Sequence, residues 1–269
     1  MLRFEDRIAI GVSGGKDSLA LLHVLAKIEK SFPKARLIAI TIDEGISGYR
    51  DEALQIAQKA CHRLEVEHVI ASFEQLFGHR LDGIVEKVRQ KEAKNDRLTP
   101  CAYCGVLRRR ALNTTARNLG ATKLATAHNL DDETQTALLN IFHGDPLRIA
   151  RAKPILSSTH PQFVPRVKPL CEILERETTL YTYLKGINFQ SIPCPYAPEA
   201  LRTDIRVLLN RMEEKHPGLK YTVYHSTERL SASIANVGEV EELNDCTLCG
   251  EPTMHAICQS CLMLRDLRN

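Results

Sequence analysis

No run of about 18 or more apolar residues occurs in this chain, which excludes a membrane-spanning helix. The first residues, Met1 to Asp6, lack the apolar stretch of a secretory leader, and Ile8 to Val12 is too short to act as one. A cytoplasmic protein with no membrane contact is therefore expected. Internal repeats and low-complexity segments are also missing, so neither a solenoid nor a disordered tract accounts for the chain. A strong charge bias is absent too: 36 basic and 33 acidic residues leave a net charge of only +3. That does not announce a nucleic-acid-binding surface, whose footprint is normally a clearly basic domain, so any RNA contact has to come from a local patch.

What is present is an ordinary globular composition, 43% hydrophobic and 26% charged over 269 residues. A chain of that length buries a core without needing disulfides. Its nine cysteines are the conspicuous feature. In a reducing compartment they point to metal binding or catalysis rather than to cross-links.

Short β-branched runs alternate with amphipathic segments in the first half. Arg7 to Val12, Leu37 to Ile42, Val66 to Ser72 and Lys123 to Ala127 read as strands. Helices are expected through Leu19, Leu22, Leu25 and Ile28, from about Asp51 to Leu64, and from about Asp131 to Phe142. This alternation predicts an α/β fold with a parallel sheet flanked by helices. Beyond Pro146 the texture changes: prolines 154, 161, 165, 169, 193, 195 and 198 break up the chain around one clear helix, Glu172 to Leu184. A further helix is expected from about Pro198 to Lys215. The expected organisation is a catalytic domain over 1–196, a helical extension over 197–244 and a small cysteine-rich knuckle over 245–269.

Between the first strand and first helix stands Ser13-Gly14-Gly15-Lys16-Asp17-Ser18. Glycines admit positive φ and close approach of a phosphate, and the helix start behind them offers free N–H groups. Lys16 adds a mobile charge, and Ser13 and Ser18 add hydroxyls. A Walker A loop is excluded, since it needs Gly and Ser/Thr where this chain has Ile10 and Asp17. The segment resembles the SGGxDS loop of the PP-loop ATP pyrophosphatases. That resemblance implies an enzyme that grips the terminal two phosphates of ATP and transfers AMP to an oxygen. The plainer reading, a glycine-rich turn with a capping Asp or Ser, does not explain six matched positions between a strand and a helix.

Ala127-His128-Asn129-Leu130-Asp131-Asp132-Glu133 follows the fourth strand. In open α/β sheets ligands sit beyond the carboxyl ends of strands, where both segments fall. The stretch resembles the GHNxDDxxET signature of the PP-loop branch acting on transfer RNA, with Ala127 where Gly is usual. By itself it would serve equally as acidic residues complementing a helix N-terminus. Beside the phosphate loop, His128 and Asp131 join Ser13 to Ser18 as candidate nucleotide-binding residues.

Cys101-x-x-Cys104 and the distant Cys194 form a first cysteine set. The CxxC alone fits half a zinc site or a redox pair. Three thiolates suit a [4Fe–4S] cluster with one iron left open to bind hydrosulfide, because four would saturate it. The set resembles that of the TtuA/TtcA/NcsA group of transfer RNA thiolation enzymes, and the run from Cys101 to Arg110 looks especially like its wobble-uridine branch. Cys246-x-x-Cys249 and Cys258-x-x-Cys261 lie within sixteen residues, the spacing of a closed tetrahedral Zn(Cys)₄ site. The family usually carries a second zinc finger ahead of the core, whereas this chain starts almost at its first strand, so a piece that helps hold RNA is expected to be missing. Cys61 and Cys171 read as small buried hydrophobes.

The resemblance implies a tRNA uridine 2-thiolase. ATP with Mg²⁺ adenylates the pyrimidine oxygen, and sulfur presented by Cys101, Cys104 and Cys194 replaces it. Asp132 and Arg108 are the expected reacting pair, with Arg108 stabilising charge, since a guanidinium cannot act as a base. The resemblance also implies a homodimer, and a ubiquitin-like thiocarboxylate carrier or free sulfide as sulfur source. Two alternatives stay open: cluster-free persulfide chemistry between Cys101 and Cys194, which would include cytidine thiolation, and a non-catalytic metal-bearing RNA-binding subunit.

Overall fold

A computed structural model of the chain describes residues 1–32, 34–90, 98–150, 155–156, 160–196, 201–235 and 243–267. In chain order its elements are β1 (Arg7–Gly11), α1 (Lys16–Glu29), β2 (Arg36–Asp43), α2 (Arg50–Leu64), β3 (Glu67–Ser72), α3 (Phe73–Phe77), α4 (Leu81–Gln90), α5 (Pro100–Asn118), β4 (Lys123–Ala125), α6 (Leu130–Phe142), α7 (Pro146–Ala150), β5 (Ile155–Leu156), β6 (Arg166–Val167), α8 (Glu175–Leu184), α9 (Leu201–Lys215), α10 (Leu219–Ala235), β7 (Asn244–Asp245), β8 (Pro252–Thr253) and α11 (Gln259–Asp266).

The main sheet runs β3-β2-β1-β4-β6-β5, parallel except for the edge pair β5–β6. Strand order reverses between β1 and β4, and the crevice beyond their carboxyl ends is where such sheets hold ligands. Ile8, Ala9 and Ile10 of β1 and Leu37 to Ile40 of β2 are buried on both faces, as parallel strands under two helical layers must be. One layer centres on α1 and α2 through Leu19, Leu22, Leu25, Ala57 and Cys61. The other centres on α4 and α5 through Ile84, Val85, Leu107 and Ala111.

The expected helix face needs one change: Ile28 is exposed, and Leu21 takes a place in the core instead. Observed boundaries otherwise fall within about three residues of the periodicities, and the expected start at Pro198 lies outside the described residues. Helix α5 was not foreseen. Its buried face includes Asn113 and Thr115, which blur the apolar period. Thr99 caps it by accepting from the Ala102 N–H, and Pro100 occupies its first turn. Helices α9 and α10 pack on α6, while α11 packs on α5 and lends Met263 and Leu267 to the α4–α5 core. Cys61 and Cys171 are both buried in apolar surroundings. No helix among the described residues is long and apolar enough to cross a membrane.

Candidate active site and metal centres

The phosphate loop joins the end of β1 to α1. Gly14 has φ +86°, and a Cβ there would lie 2.6 Å from the Ala53 carbonyl oxygen, so only glycine fits. Ser18 braces the turn: its hydroxyl donates to the Gly15 carbonyl at 2.8 Å and accepts from the Ser13 N–H at 3.1 Å. Lys16 Nζ sits 2.8 Å from Asp17 and 2.7 Å from Glu175 of α8. Burial opposes its charge, but the hydrogen bonds and charges of those two carboxylates outweigh it and hold the ammonium above its ordinary range. Thr178 of α8 donates a hydrogen bond to Asp17. Sequence reading did not find Glu175 or Thr178, whose partners in the loop lie 159 and 161 residues away along the chain.

The second loop, after β4, begins α6 with a reciprocal cap: Asn129 accepts from the Asp132 N–H at 2.9 Å, and Asp132 accepts from the Asn129 N–H at 3.3 Å. Asp131 is buried, pairs with Lys220 of α10, and accepts the Glu175 N–H at 2.7 Å. Both its oxygens are engaged within the protein, so it fastens the N-terminus of α8 next to the phosphate loop. Asp132, about a third exposed, has Arg202 Nη2 at 3.6 Å. Desolvation raises its carboxyl to about 6, against the pull of Arg202 and the Asn129 N–H. His128 bonds Thr126 at 3.0 Å, and desolvation together with the surrounding cations lowers it to about 3, so it is neutral.

Cys101 and Cys104 sit in the first turns of α5. Cys194 reaches them through a tethered segment. Gln190 donates its backbone N–H to the Gly14 carbonyl at 3.0 Å and its side-chain amide to the Tyr49 carbonyl at 2.6 Å, which fixes that segment against the phosphate loop. Tyr196 donates its hydroxyl to Asp82 at 2.7 Å, and its carbonyl accepts from the Cys101 thiol at 3.3 Å. Cys194 thereby packs against the core cluster that contains Cys104. Burial and the neighbouring Cys194 raise the Cys101 thiol, and burial pushes Cys104 up to about 11 despite Arg108.

A chain of charges joins this thiol group to the phosphate loop. Arg50, buried, donates to the Ser13 carbonyl at 2.9 Å and the Ile42 carbonyl at 2.6 Å, and its Nε faces Glu44 at 2.8 Å. Glu44, only 4% exposed in its side chain, also pairs with Arg108 Nε at 2.7 Å, and Arg108 Nη2 donates to Cys104 Sγ at 3.0 Å. Sequence reading missed Glu44 and Arg50; an acid directly after the carboxyl end of a strand was the available signal. Arg108 is thus engaged with Glu44 and Cys104, and Asp132 with Asn129 and Arg202.

The C-terminal cysteines form the tighter group. Ligand atoms of Cys246, Cys249, Cys258 and Cys261 all lie within 4.8 Å of one another, with Cys249 and Cys258 sulfurs 3.6 Å apart. Tetrahedral thiolates at about 2.3 Å from zinc stand roughly 3.8 Å apart, so the donor set fits one ion. Among the described residues no other His, Cys, Asp or Glu group converges so closely. The wider set of Cys101, Cys104 and Cys194 suits a cluster, which spreads its ligands further than a single ion does.

Residues 3–212 match the PP-loop domain family. The chain is 38% identical to the tRNA 2-thiolation protein NcsA of Haloferax volcanii over 96% of its own length and 81% of the relative's. It is 36% identical to cytoplasmic tRNA 2-thiolation protein 1 of Danio rerio, over 97% of this chain and 74% of that one. The structure superposes on the U34-tRNA thiolase NcsA of Methanococcus maripaludis, solved with its [4Fe–4S] cluster, with a TM-score of 0.82 and 32% identity, covering 97% of this chain and 81% of the other. With its phosphate loop, its capped acidic loop and both cysteine groups in these positions, the chain belongs to the PP-loop family, among the NcsA and cytoplasmic tRNA 2-thiolation proteins.

Proposed function

We propose that this chain is an ATP-dependent tRNA 2-thiouridine synthetase. The observation that carries the reading is that Cys194 packs against the core cluster holding Cys104, with Cys101 bonded to Tyr196 of the same segment, at the end of the Arg50–Glu44–Arg108 chain that leads from the phosphate loop. The phosphate loop holds the terminal phosphates of ATP, with Mg²⁺ offsetting their charge. The uridine C2 oxygen attacks the α-phosphorus, the α–β bond breaks, and pyrophosphate leaves. Hydrosulfide then adds to C2, AMP departs with the oxygen, and loss of a proton leaves the thiocarbonyl. When bound by the three thiolates, a [4Fe–4S] cluster supplies an iron free to hold that sulfur. Arg108 stabilises negative charge beside the cysteines, and Asp132 faces the reacting groups from the α6 loop.

The catalytic unit is residues 1–196, the helical extension 197–244 and the knuckle 245–269, where four thiolates hold Zn²⁺ for structure. A thiocarboxylate carrier or free sulfide provides sulfur, and the working form is a homodimer. Anaerobic reconstitution with iron and sulfide, followed by incubation with ATP and an unmodified tRNA transcript, tests the reading. AMP, pyrophosphate and 2-thiouridine are expected together. Release of ADP would remove the pyrophosphatase assignment, and full thiolation by iron-free protein would replace the cluster with persulfide chemistry.

A further inference from the structure

With a net charge of only +3, the chain has to meet RNA through a local patch. One lies beside the β4–β6 pair. Asn113 of α5 clamps the segment entering β6, donating to the Gln162 carbonyl and accepting from the Val164 N–H, both at 3.0 Å. Arg109 stands one turn earlier on the same helix face as Asn113. Arg166 pairs in register with Leu124 of β4, the strand that leads into His128. Lys168 lies two residues beyond Arg166, and Arg202 approaches from α9.

The acids here are already engaged. Glu133, within range of Arg166, is bonded to Lys168 at 2.6 Å, and Asp132 faces Arg202. Arg148 pairs with Asp145 at 2.9 Å. Arg166 is half-buried, and Arg109 is more open to solvent. Among the described residues neither makes an ion pair, and the Arg166 Nε is buried without a hydrogen-bond partner. Desolvation lowers both guanidinium groups from their ordinary range, with repulsion from Arg108 and Arg148 added at Arg109 and from Arg109 at Arg166. A half-buried guanidinium such as that of Arg166, with no ion pair among the described residues and a buried Nε without a hydrogen-bond partner, is costly, which marks a place for an anionic ligand. Arginine forks suit phosphate oxygens, and a neutral His128 adds no further repulsion.

We propose that Arg109 and Arg166 form a phosphate-binding pocket for the RNA substrate, gripping a backbone phosphodiester next to the nucleotide being modified. This rests on the tRNA reading above. The position favours RNA over ATP: the charges of Cys104 and Arg108 act on Arg109, which puts the pocket towards the cysteines, while the terminal phosphates of ATP have their own loop.

The test uses the full chain with Arg109→Ala, Arg166→Ala and Arg166→Lys. Dissociation constants for an unmodified tRNA transcript are measured from about 50 to 200 mM salt, alongside ATP affinity, iron content and Tm. Each alanine variant is expected to reduce the salt slope by about 1 and to weaken tRNA binding. Arg166→Lys should keep the slope and recover only part of the affinity, since the charge remains but the fork is lost. ATP affinity, iron and Tm should hold. Unchanged tRNA binding with weakened ATP would overturn the proposal and give the pocket to the α-phosphate; unchanged binding of both would abolish the site. Should wild type bind tRNA through these arginines yet form no thiouridine, the pocket stands and the thiolation reading fails.

Discussion

Two cysteine groups in one chain are built in opposite ways. The C-terminal four come from sixteen consecutive residues, and a short hairpin of β7 and β8 with α11 is enough to converge them. The other three include a gap of 90 positions from Cys104 to Cys194, and Cys194 is carried to the N-terminus of α5 on a loop tethered by Gln190 to the Tyr49 carbonyl and by Tyr196 to Asp82 and Cys101. A local set can close fully around one ion and serve as structure. A set assembled from distant segments sits where several elements already meet, beside the nucleotide site, and can leave one position open for chemistry.

Removing single ligands tells the two groups apart most clearly. Replacing Cys101, Cys104 or Cys194 with Ala should each abolish thiolation and remove most of the iron, with ATP binding intact; iron analysis and nucleoside mass spectrometry read the result. Cys194→Ala behaving as a mild packing change would show the distant group to be no group at all. Lys16→Ala should abolish AMP formation while iron and zinc stay in place, which separates the phosphate loop from both metal centres.

Cys246→Ser should lower zinc content and Tm without removing iron, since a structural zinc site contributes directly to folding. Full zinc occupancy in that variant would refute the four-cysteine assignment. Glu44→Ala leaves Arg50 without its buried anion, and a loss of about 3–5 kcal/mol is expected from denaturant unfolding, as for other broken buried pairs. The smallest effect is the pH response of Asp132. Its folded value of about 6 exceeds its ordinary one, so its contribution to stability is complete below about 4 and is lost as pH rises through 6. Turnover should rise across the same interval as the carboxylate forms, and Asp132→Asn should flatten both profiles.

Much of the fold is legible in the sequence. Strands β1 to β4 and helices α1, α2 and α6 carry clean periodicities, and the phosphate loop and knuckle are contiguous motifs. Strand β6, two residues long, has no periodicity to read, and α5 mixes polar residues into its buried face. The Arg50–Glu44–Arg108 chain crosses three segments of the fold, so no local window contains it.

Local sequence was enough to set the alternation of strands and helices, the glycine that the phosphate loop requires at position 14, and the grouping of the four knuckle cysteines. Each depends on neighbours a few residues away, whose backbone geometry is governed by local sterics and periodic burial. Tertiary packing was needed to bring Cys194 to the core cluster of Cys104, to let Asp131 fasten α8 through its N-terminus, and to bring Arg109 within electrostatic range of Arg166. Those meetings depend on sheet order and register, which bring together residues whose separation along the chain says nothing about their distance in space.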